Sequence, residues 1–309
     1  MPRVVVIGAN GFIGSHLVDA LAQDGHTVRA FDRFSSAEPT FTAADIEIVR
    51  GEFLSRADIE LAVAGQDYVV HMLSTTTPAT AENDPTLDIR TNIAQTVELL
   101  EASVAARVSH FFFASTGGAI YGPQAKTVYS ESDQPLPVSP YGIGKLTIEH
   151  YLHYFRTKHG LQSTALRISN PYGPRQRPHK KQGLIPIALE RLITGESVIR
   201  MGDGSMVRDY IYVGDLVKMI ARVVGNEHRY DLYNIGSGLG SSVNDVLAAI
   251  ERVTGRAADI VERPVPPTFV DRVVLDTERF MSEFGPFELL SLDDGIRLTY
   301  HEMESIAHE

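Results

Sequence analysis

Residues 4–14 read Val4-Val5-Val6-Ile7-Gly8-Ala9-Asn10-Gly11-Phe12-Ile13-Gly14, and this stretch decides the fold. Four β-branched apolar residues run without alternation, which predicts a strand buried on both faces. Glycines follow in the spacing GxxGxxG. Gly8 permits a tight turn, Gly11 lets backbone approach a pyrophosphate, and Gly14 lets a helix pack on the strand. A helix over 12–23 is marked by apolar Phe12, Leu17, Ala20 and Leu21. Its N-terminal segment, Asn10 to Ile13, offers free N–H groups and a partial positive charge to phosphate. A second apolar run, 27–31, leads into Asp32 and Arg33. A carboxylate there accepts hydrogen bonds from ribose hydroxyls and repels a 2′-phosphate, so Asp32 favours NAD over NADP, although Arg33 could receive such a phosphate. Alone, the glycines describe an ordinary strand-to-helix turn. With this strand, helix and aspartate around them they read as a dinucleotide site.

Further short β-branched or aromatic runs recur at 46–50, 68–71, 110–114 and 163–168. Helix-like stretches at 56–64, 91–105 and 141–158 lie between several of them. Such alternation predicts an α/β fold, a doubly wound parallel sheet of Rossmann type. After residue 168 the texture changes, with proline- and glycine-rich turns at 170–178, 202–204 and 236–238 and the extended segment 264–267. Residues 1–169 are therefore read as the dinucleotide-binding domain, and 170–309 mainly as a smaller, interleaved substrate-binding domain. Residues 209–235, with strand-like runs at 210–213 and 232–235, are expected to return to the first.

The chain has 309 residues, 43% hydrophobic and 22% charged, an ordinary globular balance and more than one core usually serves. A net charge of -11 argues against nucleic acid as a partner. The absence of cysteine excludes disulfides and thiolate chemistry. There is no apolar run near 18 residues and no signal-peptide core after Met1-Pro2-Arg3, so no membrane and a cytoplasmic location are expected. His150 and His153 share helical spacing but lack a carboxylate partner, and no metal is expected.

The second decisive stretch is Ser139-Pro140-Tyr141-Gly142-Ile143-Gly144-Lys145. Pro140 suits a helix start, and Tyr141 and Lys145, four apart, share a helical face. A phenol near pKa 10 is a poor base at neutral pH. A neighbouring ammonium and a positive nicotinamide ring would stabilise the phenolate, and lowering it by ~3 pKa units takes about 4 kcal/mol. A Tyr/Lys pair alone is a common surface feature, but beside a dinucleotide loop it predicts hydride-transfer chemistry.

At this point the chain resembles the extended short-chain dehydrogenase/reductases, and within them the NAD-dependent nucleotide-sugar epimerases and dehydratases, nearest the UDP-sugar 4-epimerases. The resemblance spans essentially the whole chain. It rests on Gly8–Gly14, Asp32, His71-Met72-Leu73-Ser74, Asn92, the run from Ser115 to Gly122, Tyr141 with Lys145, and Asn170-Pro171-Tyr172-Gly173. Val207-Arg208-Asp209-Tyr210-Ile211, Asn234-Ile235-Gly236 and Gly295-Ile296-Arg297 extend it.

What the resemblance implies is an NAD-dependent epimerase inverting C4 of a UDP-hexose (glucose/galactose, N-acetyl or uronic) through a 4-keto intermediate. Tyr141 would be the acid and base, and Lys145 would hold the nicotinamide ribose. A hydroxyl at the strand end, Thr116 with Ser115 behind it, would bond the reacting oxygen. Glu52 and Phe53 would lie by the adenine, and Leu73, Ser74 and Asn92 would line the cofactor. Asn170 and Arg208 would contact the nucleotide diphosphate.

Two departures stand out. The family's usual working hydroxyl falls on Gly117, followed by Gly118 and Ala119. The usual Arg-x-x-Asp register is also lost, leaving Arg263 and Arg272 as candidate phosphate ligands. Dehydratases place an Asp-Glu pair in the turn that here holds Gly118 and Ala119, which disfavours dehydration. A net reductase or dehydrogenase, a dehydratase, or a non-catalytic NAD-binding sensor are the competing readings, and Tyr141 and Lys145 argue against the sensor. Arg175, Arg177, His179, Lys180 and Lys181 form a basic loop, either an anion-facing flap or a solvated turn. By resemblance, the helices at 91–105 and 141–158 would form the interface of a homodimer.

Overall fold

The run at 4–7 becomes a central strand because both its faces are covered. Val4 and Val6 enter one apolar core, Val5 and Ile7 another, and all four are fully buried. The computed structural model describes residues 1–35, 38–176, 183–265 and 270–307. Its strands are β1 (Arg3–Ile7), β2 (Thr27–Asp32), β3 (Glu47–Arg50), β4 (Tyr68–His71), β5 (His110–Thr116), β6 (Val128–Tyr129) and β7 (Gln162–Ile168). They continue with β8 (Asn170–Tyr172), β9 (Val198–Met201), β10 (Val207–Tyr212), β11 (Leu232–Ile235), β12 (Gly240–Ser242), β13 (Ile260–Arg263) and β14 (Arg272–Leu275).

Seven strands form one parallel sheet in the order β11-β7-β5-β4-β1-β2-β3. The order reverses beside β1, so a crevice opens at the carboxyl ends of β1 and β4, the usual ligand position in an open α/β sheet. Helices Phe12–Gln23 and Val213–Gly225 cover the face of Val4, Val6 and Phe112. Helices Arg56–Val63, Ala94–Ala105 and Pro140–His159 cover the face of Val5, Phe111 and Phe113.

A second sheet runs β12-β10-β14-β6, with β8 also on β10, and β9 pairs with β13 in a separate ribbon. Helices Leu184–Thr194, Val243–Thr254 and Leu292–Ala307 pack around Leu189, Val246, Ile250 and Ile296. Asp209 anchors this region to the first sheet. It is buried and accepts from the N–H groups of Ser237, Gly238 and Leu275 and from the Ser237 hydroxyl.

Two local expectations are corrected. Of the segment 209–235, the helix Val213–Gly225 and β11 lie with the first sheet, but residues 209–212 belong to β10 of the second, and Val213 begins a helix. β6, from the first half of the sequence, also joins the second sheet. The helix expected over 91–105 is not uniform: a π-helical turn, Ile89–Ile93, precedes Ala94–Ala105. That turn aims Asp88 and Asn92 at one loop, and such turns concentrate at functional sites.

Candidate active site

The glycine loop is built as its residue types require. Gly8 has φ +87°, and a Cβ there would come within 2.8 Å of the Leu73 nitrogen. A Cβ on Gly14 would lie 2.0 Å from the Gly8 carbonyl oxygen, so only glycine lets the helix sit this close to the strand. The helix starts at Gly11 with no side-chain cap and no acidic residue in its first turn, leaving its amides and dipole for an anion. Asp32 receives the Asn10 N–H at 3.0 Å on one carboxylate oxygen and the Arg33 N–H at 2.7 Å on the other. Each oxygen keeps acceptor capacity for a hydroxyl pair. The Asn10 side chain instead receives the Thr40 N–H and hydroxyl, at 2.8 and 2.9 Å, and pins the neighbouring loop.

Tyr141 and Lys145 stand on the first turns of Pro140–His159. Ser139 caps this helix by accepting the Gly142 N–H at 3.2 Å, with Pro140 in its first turn. Lys145 is buried. Its Nζ donates to the Ala114 carbonyl at 2.8 Å and lies 4.7 Å from the Phe113 ring centre and 5.6 Å from that of Tyr141. The pair therefore sits against the carboxyl end of β5, beside Ser115 and Thr116.

Those two hydroxyls point to opposite sides of the strand. Ser115 donates to Glu149 at 2.6 Å, while Thr116 and Tyr141 have no side-chain hydrogen bond to any described residue. Pleating explains this: Ser115 follows Phe111 and Phe113, and Thr116 follows Phe112 and Ala114.

The electrostatics of the pair differ from the expectation. Burial pulls the Lys145 ammonium down to about 8, with the Asp88 and Glu149 carboxylates holding it up. Burial and Asp88 push the Tyr141 phenol up to about 12. The lowering expected from Lys145 is not seen in the chain alone. Bringing a phenol from about 12 to neutrality takes about 7 kcal/mol, more than one ammonium supplies.

A model of the "NAD dependent epimerase/dehydratase family" matches residues 4–236. The UDP-glucose 4-epimerase of Mycolicibacterium smegmatis is 33% identical over 96% of this chain and 97% of its own length. The UDP-glucose 4-epimerase of Thermotoga maritima, solved with UDP-glucose, superposes with a TM-score of 0.92 at 34% identity, covering 99% of each chain. That of Thermus thermophilus, solved with NAD, gives 0.90 at 32% identity over 98% of this chain and 99% of that one. This chain belongs to the NAD-dependent epimerase/dehydratase family. Relatives of similar identity carry the names of nucleotide-sugar reductases and dehydratases, so identity alone does not choose the reaction.

The family's cofactor is NAD, and the uncapped helix, the glycine cradle and Asp32 fit it. Leu73 backs Gly8, and Ser74 donates to the Thr76 carbonyl at 2.8 Å. Phe53 is buried against His71, and Glu52 is exposed with its N–H on Asp58. Asn92 is committed: its oxygen accepts from the Thr75 N–H and hydroxyl, and its nitrogen donates to Thr76 and Asp88. A carboxamide has no more donors, so Asn92 shapes the 74–76 loop and has no N–H left for a ligand.

On the substrate side, Asn170 donates to the Asp209 carbonyl at 3.2 Å and faces Gly118. Gly117 lies against Leu275, which a Cβ would meet at 2.5 Å. Arg208 is half-buried, bonds to the Val207 and Asp271 carbonyls and makes no ion pair with a described residue. Burial holds its pKa below the usual guanidinium value, the condition an incoming anion relieves.

Neither proposed companion lies with it. Arg272 pairs in register with Val207, hence on the opposite face of the sheet from Arg208, and Arg263 is exposed on the separate β9–β13 ribbon. Arg175 is engaged by Asp19 at 2.8 Å, while Arg177, His179, Lys180 and Lys181 lie outside the described residues.

Sequence reasoning missed Asp88, Thr76 and a buried cluster beneath β5. There Arg167 is paired with Glu149 at 2.8 Å and donates to the Tyr121 hydroxyl, which donates to Asn234. Glu149 was discoverable, being four residues beyond Lys145 on the same helical stripe.

Proposed function

We propose that this chain inverts C4 of a nucleotide-activated hexose, UDP-linked, through a 4-keto sugar, retaining its NAD between turnovers. The observation that carries this reading is the Tyr141 hydroxyl, without a side-chain hydrogen bond to any described residue, beside buried Lys145 against the end of β5, with no carboxylate in the turn that follows. Tyr141 takes the proton of the C4 hydroxyl and returns it to the same oxygen, once the 4-keto sugar has turned over to offer the other face of C4 to hydride. Thr116 donates to the reacting oxygen and fixes its distance. Lys145, together with the cationic ring of bound NAD, supplies the charge that brings the phenol into range. Bound NAD, held by the Gly8–Gly14 loop, Asp32 and Lys145, would supply the hydride acceptor and donor for C4. Asn170 and Arg208 receive the diphosphate.

Dehydration needs an acid and a base in the turn after Thr116. Gly117, Gly118 and Ala119 provide neither, and a Cβ on Gly118 would already touch the Asn170 amide at 3.5 Å. The UDP assignment draws support from the relatives solved or named with UDP-sugars. Incubation with UDP-hexoses should give C4 inversion by NMR with no net change in NADH absorbance; net cofactor turnover would instead identify a reductase. Tyr141→Phe should lose about 10²–10⁴-fold in turnover and keep NAD, and unchanged turnover would remove the mechanism.

We further propose a homodimer through Pro140–His159. Its Ile143, Tyr151 and Tyr154 are exposed at 50, 37 and 44% along one stripe. Light scattering that finds only monomer rejects it.

A further inference from the structure

Asp88 is a buried carboxylate that the proposed chemistry does not use. It is 3% exposed and forms no ion pair with a described residue. One oxygen accepts from Thr76 at 2.5 Å and from Asn92 at 2.7 Å. The other lies against the helix at Gly144, where a Cβ would stand 2.3 Å from it. Gly144 falls between Tyr141 and Lys145 and, three residues after the tyrosine, shares its face. A glycine and two neutral donors thus bring an anion to the backbone of the helix at the reactive pair.

Burying a carboxylate without a paired cation is costly, and an amide of the same shape could keep both contacts to its first oxygen. Packing alone therefore does not account for the charge. We propose that Asp88 is the fixed counter-charge of Lys145, a positioning residue that keeps its ammonium protonated inside a desolvated site; this rests on the assignment of Tyr141 and Lys145 above.

The other charged and titratable groups around Lys145 leave this role open. On its own helix, Glu149 is engaged by Arg167 of β7, and Tyr141 is neutral. On β4, His71 is buried and held neutral, its pKa down at about 3. From β5 come only the Phe113 ring and the Ala114 carbonyl. Asp88 is the remaining anion, and its charge acts to hold Lys145 up.

Asp88→Asn separates charge from shape. The holoenzyme variant should retain NAD. Competitive labelling of Lys145 with acetic anhydride across pH, quantified on its peptide by mass spectrometry, should report an ammonium pKa about one unit lower than in the parent. The alkaline limb of turnover should move down by the same amount. A Lys145 pKa that stays in place or rises overturns the proposal, whatever happens to turnover. If Asp88→Asn does not fold, Gly144→Ala, which displaces the carboxylate but keeps its charge, must lower the Lys145 pKa too, and no shift overturns the proposal. Tyr141→Phe tests the underlying assignment separately: if that variant still turns over, the proposed function fails, while the labelling of Lys145 still reports on Asp88.

Discussion

Two carboxylates serve the helix Pro140–His159, half-buried Glu149 on it and buried Asp88 packed against it, and they are held in opposite ways. Glu149 belongs to a closed cluster: it receives Arg167 through two nitrogens and the Ser115 hydroxyl, and Arg167 continues to Tyr121 and Asn234. Among the described residues Asp88 is met only by neutral donors, and it presents its second oxygen to the helix that carries Tyr141 and Lys145. A carboxylate whose charge is cancelled at contact distance fixes geometry. One whose charge is left uncancelled sets the potential around it. The difference assigns the cluster beneath β5 to architecture and the one above Gly144 to chemistry.

The largest test of that division is Arg167→Met. It leaves Glu149 buried and unpaired, which should cost about 3–5 kcal/mol in urea unfolding. The double change Arg167→Met with Glu149→Gln should recover most of this loss. If the single variant were as stable as the parent, the closed cluster would not be structural. A smaller effect should separate adjacent hydroxyls. Thr116→Val should lose roughly 10–100-fold in kcat, about 1.4–2.7 kcal/mol, with little change in unfolding. Ser115→Ala should do the reverse, keeping kcat and losing about 1 kcal/mol of stability. Equal kinetic losses in the two would erase the distinction between the faces of β5.

The dinucleotide half was legible because its motifs are local. Gly8, Gly11, Gly14 and Asp32 meet across two adjacent strands, and Tyr141 and Lys145 across one helical turn, so spacing alone brings them together. Choosing between Ser115 and Thr116 needed the parity of β5, set by which phenylalanines face which core. Asp88 was hidden because its meaning depends on a π turn and on a glycine in a helix 56 residues on, counted from 88 to 144. Arg263 and Arg272 seemed equivalent in sequence, and only strand pairing showed one on the far face and the other on a separate ribbon. The phenol's starting point was also beyond reach, since burial works against Lys145 and cannot be read from composition.

β6 is two residues long, yet it ties synthesis to folding. Its strand partner is β14, and the Asn234 side chain binds the Tyr129 carbonyl. The first sheet likewise needs β11 to cover β7. Both partner strands, β11 and β14, come from beyond residue 230, so a chain with only its first half made has neither. The reactive turn at Gly117 is not backed by Leu275 until most of the polypeptide has been made. Leu275 behind the reactive turn, β14 beside β6 and β11 beside β7 thus all come from the last third of the sequence.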